Sequence, residues 1–285
     1  MKLLLTSTLF FAFLITNASA HEMPNTLDQI KQTGKIRIGH RESEPPMSFL
    51  DNDANPVGYS IDLCKRIVVG VKNAIGKEVK IEYVSVTANS RFTALIENKI
   101  DILCGSTTKT LSRSKLVDFT QLTFVTGASF MTLKGGEFNE LSALDGKKVG
   151  VVRDTTTIET LDLMLKETLT NSEVVSFNSA AEALNSLRKG EIAAFSSDQV
   201  VLIGLALTAE DKDNFTISPQ VFSFEPFALA VKRNDADFRL VVNSVLSKLY
   251  RTRQIDQLYD KWFGGFSKKR PPLHNALYQL NATPE

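Results

Sequence analysis

LIENKIDILCGS, residues 95–106, aligns without a gap against LRKGEIAAFSSD, residues 187–198. Each segment reads as the end of a helix, a tight turn, an apolar strand and a polar strand end. Few positions are shared, but the alignment sets Ser106 opposite Asp198. Both residues would lie just past the carboxyl end of a strand, where open α/β sheets bind ligands. The chain is therefore expected to form two similar lobes that share a cleft, each offering one strand end to it.

Working outward, strand-like and helix-like segments alternate. Strands are expected at 35–39, 79–86, 100–104, 149–152, 174–177 and 192–196. Helices are expected at 60–75, 91–98, 155–169, 180–189 and 198–207, with two more at 236–251 and 254–263. This order predicts an α/β fold in which each lobe is a mostly parallel sheet flanked by helices. Two long extended runs, 122–133 and 222–232, suit crossings between the lobes. Lobe one then spans 34–126 and 225–266, and lobe two spans 127–224. Two crossings make a hinge. The tail, 267–285, reads as an irregular strap whose basic run at 268–270 is a solvated end.

The N-terminus points to export. Lys2 is followed by an apolar stretch and then by Ala18-Ser19-Ala20, a small-x-small cleavage site. Residues 1–20 are read as a signal peptide, which places the mature protein in the periplasm. Cleavage there removes Lys2 and no acid, leaving 32 basic and 32 acidic residues. That balance argues against nucleic acid as a partner. Cys64 falls in a predicted helix and Cys104 at a strand end. Two buried thiols or one disulfide would both fit, and a helix packed on that strand would bring the pair together.

The stretch CGSTTKTLSR, 104–113, carries five hydroxyl residues and then Arg113. Short hydroxyls cap helix starts. With free N–H groups and an Arg, they also form anion sites. Catalytic readings fare worse. Ser106-Thr-Thr-Lys109 and Ser197-Asp198-Gln199 echo two motifs of penicillin-recognising enzymes, but the third, K-T-G, is missing. His21, His40 and His274 have no metal-ligand spacing, and no nucleotide-binding glycine motif is present, so neither metal nor cofactor is expected. Arg41, Arg91 and Arg113 each follow a predicted strand and would share one sheet edge with Ser106 and Thr108. Three guanidiniums imply more than one negative group on the ligand. Asp198 would meet an ammonium. Two carboxylates and one ammonium describe an acidic amino acid.

The chain resembles the periplasmic amino-acid-binding proteins of ABC importers, the family 3 solute-binding proteins. The likeness runs from about Gly34 to Gly264 and is carried by RESEPPMSFLD (41–51), GYSIDLCKRI (58–67), CGSTTKTLSR (104–113), FVTGASF (124–130), LDGKKVGVVRDTT (144–156) and DKWFG (260–264). CGSTT with its Arg, and the opening R-E-S, look most like the glutamate/aspartate-binding branch. The resemblance implies the type II two-lobe periplasmic-binding-protein fold. It also implies a monomer that closes on an amino acid and hands it to an inner-membrane permease. The α-carboxylate would be held by Ser106, Thr108, Arg113 and Thr156, the ammonium by Asp198 and Ser106, and the side-chain carboxylate by Arg41 and Arg91. Ala88 and Ala180 stand where the branch has Ser and His, and Glu44 and Met47 alter the R-E-S-x-x-P-F pattern. Two other roles use the same scaffold. A cyclohexadienyl-dehydratase-like enzyme would need a general acid, for which Glu44 and Glu225 are the candidates. A sensory or docking domain would need an output module.

Overall fold

The computed structural model describes residues 25–138, 141–266 and 269–285. The expected signal peptide lies outside them. Ten main strands form two five-stranded sheets. The first holds β1 (Lys35–His40), β2 (Lys80–Ser85), β3 (Ile102–Cys104), β4 (Asp118–Thr126) and β10 (Glu225–Val231), in the order β2-β1-β3-β10-β4. The second holds β5 (Ala128–Leu133), β6 (Lys148–Val152), β7 (Glu173–Phe177), β8 (Ala194–Asp198) and β9 (Phe215–Ile217), in the order β7-β6-β8-β5-β9. In each sheet four strands run in one direction and one, β10 in the first and β5 in the second, runs against them. The sheets are thus more mixed than the sequence pattern suggests, because the strand that enters each sheet from a crossing runs against its neighbours.

The two aligned segments occupy equivalent places. β3 and β8 are each the third parallel strand of their sheet, next to an antiparallel neighbour. The helices before them, α3 (Arg91–Ile96) and α5 (Ala180–Arg188), are short and half-buried.

The run expected at 122–133 is two strands belonging to different sheets. Gly127 separates β4 from β5, and a Cβ there would come within 2.4 Å of the Ser223 carbonyl oxygen. The return crossing lies alongside: Glu225 pairs with Thr126, and the Ala128 N–H donates to the Ser223 hydroxyl at 2.9 Å. The sheets also approach one another away from these crossings. Gly204, in α6 (Gln199–Thr208), packs on the Pro45 backbone so closely that a Cβ would sit 2.1 Å from its carbonyl oxygen.

On the first sheet, α2 (Tyr59–Ile75) buries Ile61, Leu63, Cys64, Ile67, Val68 and Val71, the face its apolar spacing predicts. Cys64 is bonded to Cys104 at the end of β3, with the two Cα atoms 6.5 Å apart. No helix among the described residues is long and apolar enough to cross a membrane.

The C-terminal tail corrects the sequence reading. Residues 272–280 form a helix rather than an irregular strap. Pro272 opens it, at a position where proline costs no hydrogen bond. His274, Leu277 and Tyr278 then fall on one buried face. The Tyr278 and Tyr59 hydroxyls are 2.9 Å apart. The His274 ring lies 4.4 Å from Phe124, and burial pushes its pKa down to about 4. Arg270 is not a solvated end: it pairs with Asp256 at 2.6 Å and lies over the Tyr259 and Tyr278 rings. Lone basic residues look solvated in sequence because nothing local shows the aromatic ring that will cover them.

Candidate functional site

The carboxyl ends of the parallel strands face one small, partly enclosed cavity of about 20 Å³. From the first sheet come Arg41 after β1, Arg91 after β2, and Ser106, Thr108 and Arg113 after β3. From the second come Thr156, first residue of the helix Thr156–Glu167 that follows β6, and Asp198, last residue of β8. Parallel strands all end at one edge, so residues distant in sequence arrive together.

The hydroxyl stretch divides its labour. Thr110 accepts from the Arg113 N–H at 3.1 Å and touches the Ser112 hydroxyl at 2.9 Å, so these two residues serve the turn. Ser106 and Thr108 line the cavity. Asp198 sits in the N-cap position of α6 but makes no capping bond. Its Oδ1 is shielded from solvent and has no protein partner. Burial, aided by the nearby Glu225 and Glu44 carboxylates, holds its pKa well above the usual carboxylate range.

The three guanidiniums differ. Arg113 donates to the Thr108 carbonyl at 3.0 Å, and burial lowers its pKa. Arg91 is 3% exposed, donates through Nη2 to the Asp154 carbonyl at 2.9 Å, and leaves Nε without a partner. Burial, with Arg113 and Arg41 close by, pushes its pKa down to about 9. Arg41 forms a buried ion pair with Glu44 at 2.8 Å. A buried Arg and a buried Asp with unpartnered polar atoms in one cavity wall are complementary to a carboxylate and an ammonium.

Two carboxylates were undervalued by the sequence reading. Glu44, given there as a general-acid candidate and a departure from the R-E-S-x-x-P-F pattern, is 7% exposed and also accepts from the Ser106 hydroxyl. Glu225 is 2% exposed and accepts from Thr108 at 2.6 Å, Thr156 at 2.8 Å and Ser223 at 2.7 Å. Asp154 was missed: its backbone, at φ 58°, turns a carbonyl toward both Arg91 and Arg113. The turn before the helix at Thr156 was the only sequence signal for it. His40 does not join the cavity wall; it packs edge-on against Tyr83. Ala180 lines the cavity, whereas Ala88 is buried in the core.

Comparison with known proteins agrees with this architecture. Residues 36–265 match the bacterial extracellular solute-binding proteins, family 3. The chain is 32% identical over 262 residues to the L-glutamate/L-aspartate-binding protein of Pseudomonas aeruginosa, covering 91% of this chain and 87% of that one. It is 30% identical to the glutamate/aspartate import solute-binding protein of Escherichia coli K12, covering 84% and 80%. An ancestral arginine-binding protein bound to arginine superposes with a TM-score of 0.73 at 28% identity, covering 81% of this chain and 98% of that structure. All three are named as binding proteins, not enzymes. The chain belongs to the bacterial extracellular solute-binding proteins of family 3, and it has their two-lobe fold.

Proposed function

We propose that this protein captures an amino acid of the acidic, glutamate- or aspartate-like class in the periplasm and delivers it to an ABC importer. One observation carries the reading: Arg91 and Asp198 line the same cavity from opposite sheets, and each keeps a buried polar atom, Nε and Oδ1, without a partner among the described residues. Arg113 holds the α-carboxylate, and the hydroxyls of Ser106, Thr108 and Thr156, which here donate to Glu44 and Glu225, turn to it on binding. Asp198 holds the ammonium, and Arg91 with Arg41 the side-chain carboxylate. The names of the two glutamate/aspartate-binding relatives support the ligand class.

The ligand docks first on the lobe formed by 34–126 and 225–266, which carries most of these groups. The lobe formed by 127–224 then closes over it, turning about the crossings near Gly127 and Phe224. The monomer closed in this way is the state a permease reads. Hydrogen bonds to charged groups contribute roughly 1.5–3 kcal/mol each. Several of them, less the costs of ordering and desolvation, reach the ~8 kcal/mol of micromolar affinity.

A thermal-shift and calorimetric screen of ligand-stripped protein against the amino acids tests this. At 100 times its dissociation constant a ligand adds about 2.7 kcal/mol of stability, a shift of several degrees. Glutamate or aspartate should give that shift, and Arg113→Ala should abolish it for every amino acid. Absence of any shift in the unmutated protein would sink the proposal. Micromolar binding retained by Arg113→Ala would remove Arg113 from the site.

A further inference from the structure

The two guanidiniums assigned to the ligand side chain are not equally available. Arg91 has an unpartnered buried Nε. Arg41 is already paired, through Nη1, with Glu44 Oε1 at 2.8 Å, and the other oxygen of Glu44 accepts from the Ser106 hydroxyl. Both members of the pair are almost fully buried, with side chains 7% and 9% exposed, and both line the cavity. The pocket therefore contains a carboxylate of its own, bound to a group that an acidic ligand would use.

Such a carboxylate changes what the pocket prefers. A ligand carboxylate must share Arg41 with Glu44 or lie on Arg91 alone, beside a second negative charge in a poorly solvated space. A side-chain amide meets no such conflict. Its N–H₂ can donate to Glu44 while its carbonyl accepts from Arg91. Charge balance agrees. Among the cavity-lining residues Glu44 already neutralises Arg41, so an uncharged ligand side chain needs no further cation at that end.

We propose that Glu44 is the specificity-determining residue of the side-chain pocket. It acts as a built-in competitor for the ligand's side-chain carboxylate and admits glutamine and asparagine beside the acids. This inference rests on the amino-acid-binding reading above and adds the amide class to it.

The test is isothermal titration of ligand-stripped protein with glutamate, glutamine, aspartate and asparagine. The unmutated protein should bind each amide within about tenfold of its acid. Glu44→Gln keeps the shape and removes the charge, and should shift the acid-to-amide ratio by about tenfold or more toward the acids. Glu44→Ala should shift it in the same direction, which covers the case in which one variant fails to fold. Circular dichroism and the melting temperature identify the variants that are folded. An unchanged ratio in a folded variant overturns the inference, as does a preference of about a hundredfold or more for the acids in the unmutated protein. Failure of the unmutated protein to bind any amino acid is a different outcome, because it removes the amino-acid reading itself.

Discussion

Glu44 and Glu225 are both buried at the cleft, and the protein satisfies them in opposite ways. Glu44 is held by a cation of its own sheet edge, Arg41, with Ser106 as its second partner. Among the described residues no cation is in hydrogen-bond contact with Glu225. Three hydroxyls surround it: Thr108 after β3, Thr156 at the start of a helix on the second sheet, and Ser223 on the crossing. A buried ion pair is a local device, and losing one partner leaves the other stranded. A carboxylate held by donors from both sheets reports on whether those sheets are together. On the function proposed above, the side-chain end of the cleft serves discrimination and the Glu225 end closure.

The largest expected effect concerns Asp198, whose carboxyl is influenced by both Glu225 and Glu44. The ligand ammonium favours its ionised form, whereas the ligand-free site favours the protonated one. Binding therefore releases a proton, and affinity should rise with pH between the ordinary carboxylate value and the raised pKa of Asp198, by up to about tenfold per pH unit. Falling pH should weaken binding over the same window. Asp198→Asn should cost about a hundredfold in affinity and flatten the profile. Titration in buffers of different ionisation enthalpy measures the proton directly, and a flat profile in the unmutated protein would separate Asp198 from the ammonium.

A smaller effect should appear at the side-chain end. Arg91→Met, which keeps the bulk and removes the charge, should weaken glutamate by about tenfold or more and alanine by less than about threefold. Equal losses would place Arg91 with the head-group residues and erase the contrast between the two ends.

The smallest concerns Glu225→Gln. The amide oxygen still accepts, but the charge that strengthens all three bonds is gone, a loss of about 1–2 kcal/mol. For a chain of this size that lowers the melting temperature by roughly 2–4 °C per kcal/mol. A few-fold drop in affinity, the same for every ligand, should accompany it. An unchanged melting temperature and affinity would mean that the hydroxyl cluster around Glu225 does not hold the sheets together.

Much of the cavity wall was legible in the sequence. Arg41, Arg91, Ser106, Thr108 and Asp198 stand at or just past strand ends, and a parallel sheet brings all such positions to one edge. Glu44 and Glu225 were visible only as general-acid candidates, without the partners that bury them. A carboxylate in a loop looks solvated until the Arg or the hydroxyls that bury it are placed around it. The tail was misread for a related reason. Pro271-Pro272 looks like a break, yet the second proline opens a helix whose buried face matches an aromatic surface built by Tyr59, Phe124 and Tyr259.

Sequence alone determined the alternation of strands and helices, the two-fold likeness of the lobes and the strand-end positions of the charged residues. These depend on local periodicity, which the chain carries residue by residue. Only the tertiary structure decided which charges neutralise one another. It paired Glu44 with Arg41, surrounded Glu225 with hydroxyls from both sheets, and left Arg91 Nε and Asp198 Oδ1 without partners. Electrostatic pairing depends on distances of a few ångströms between segments far apart in the chain, and only packing sets those distances.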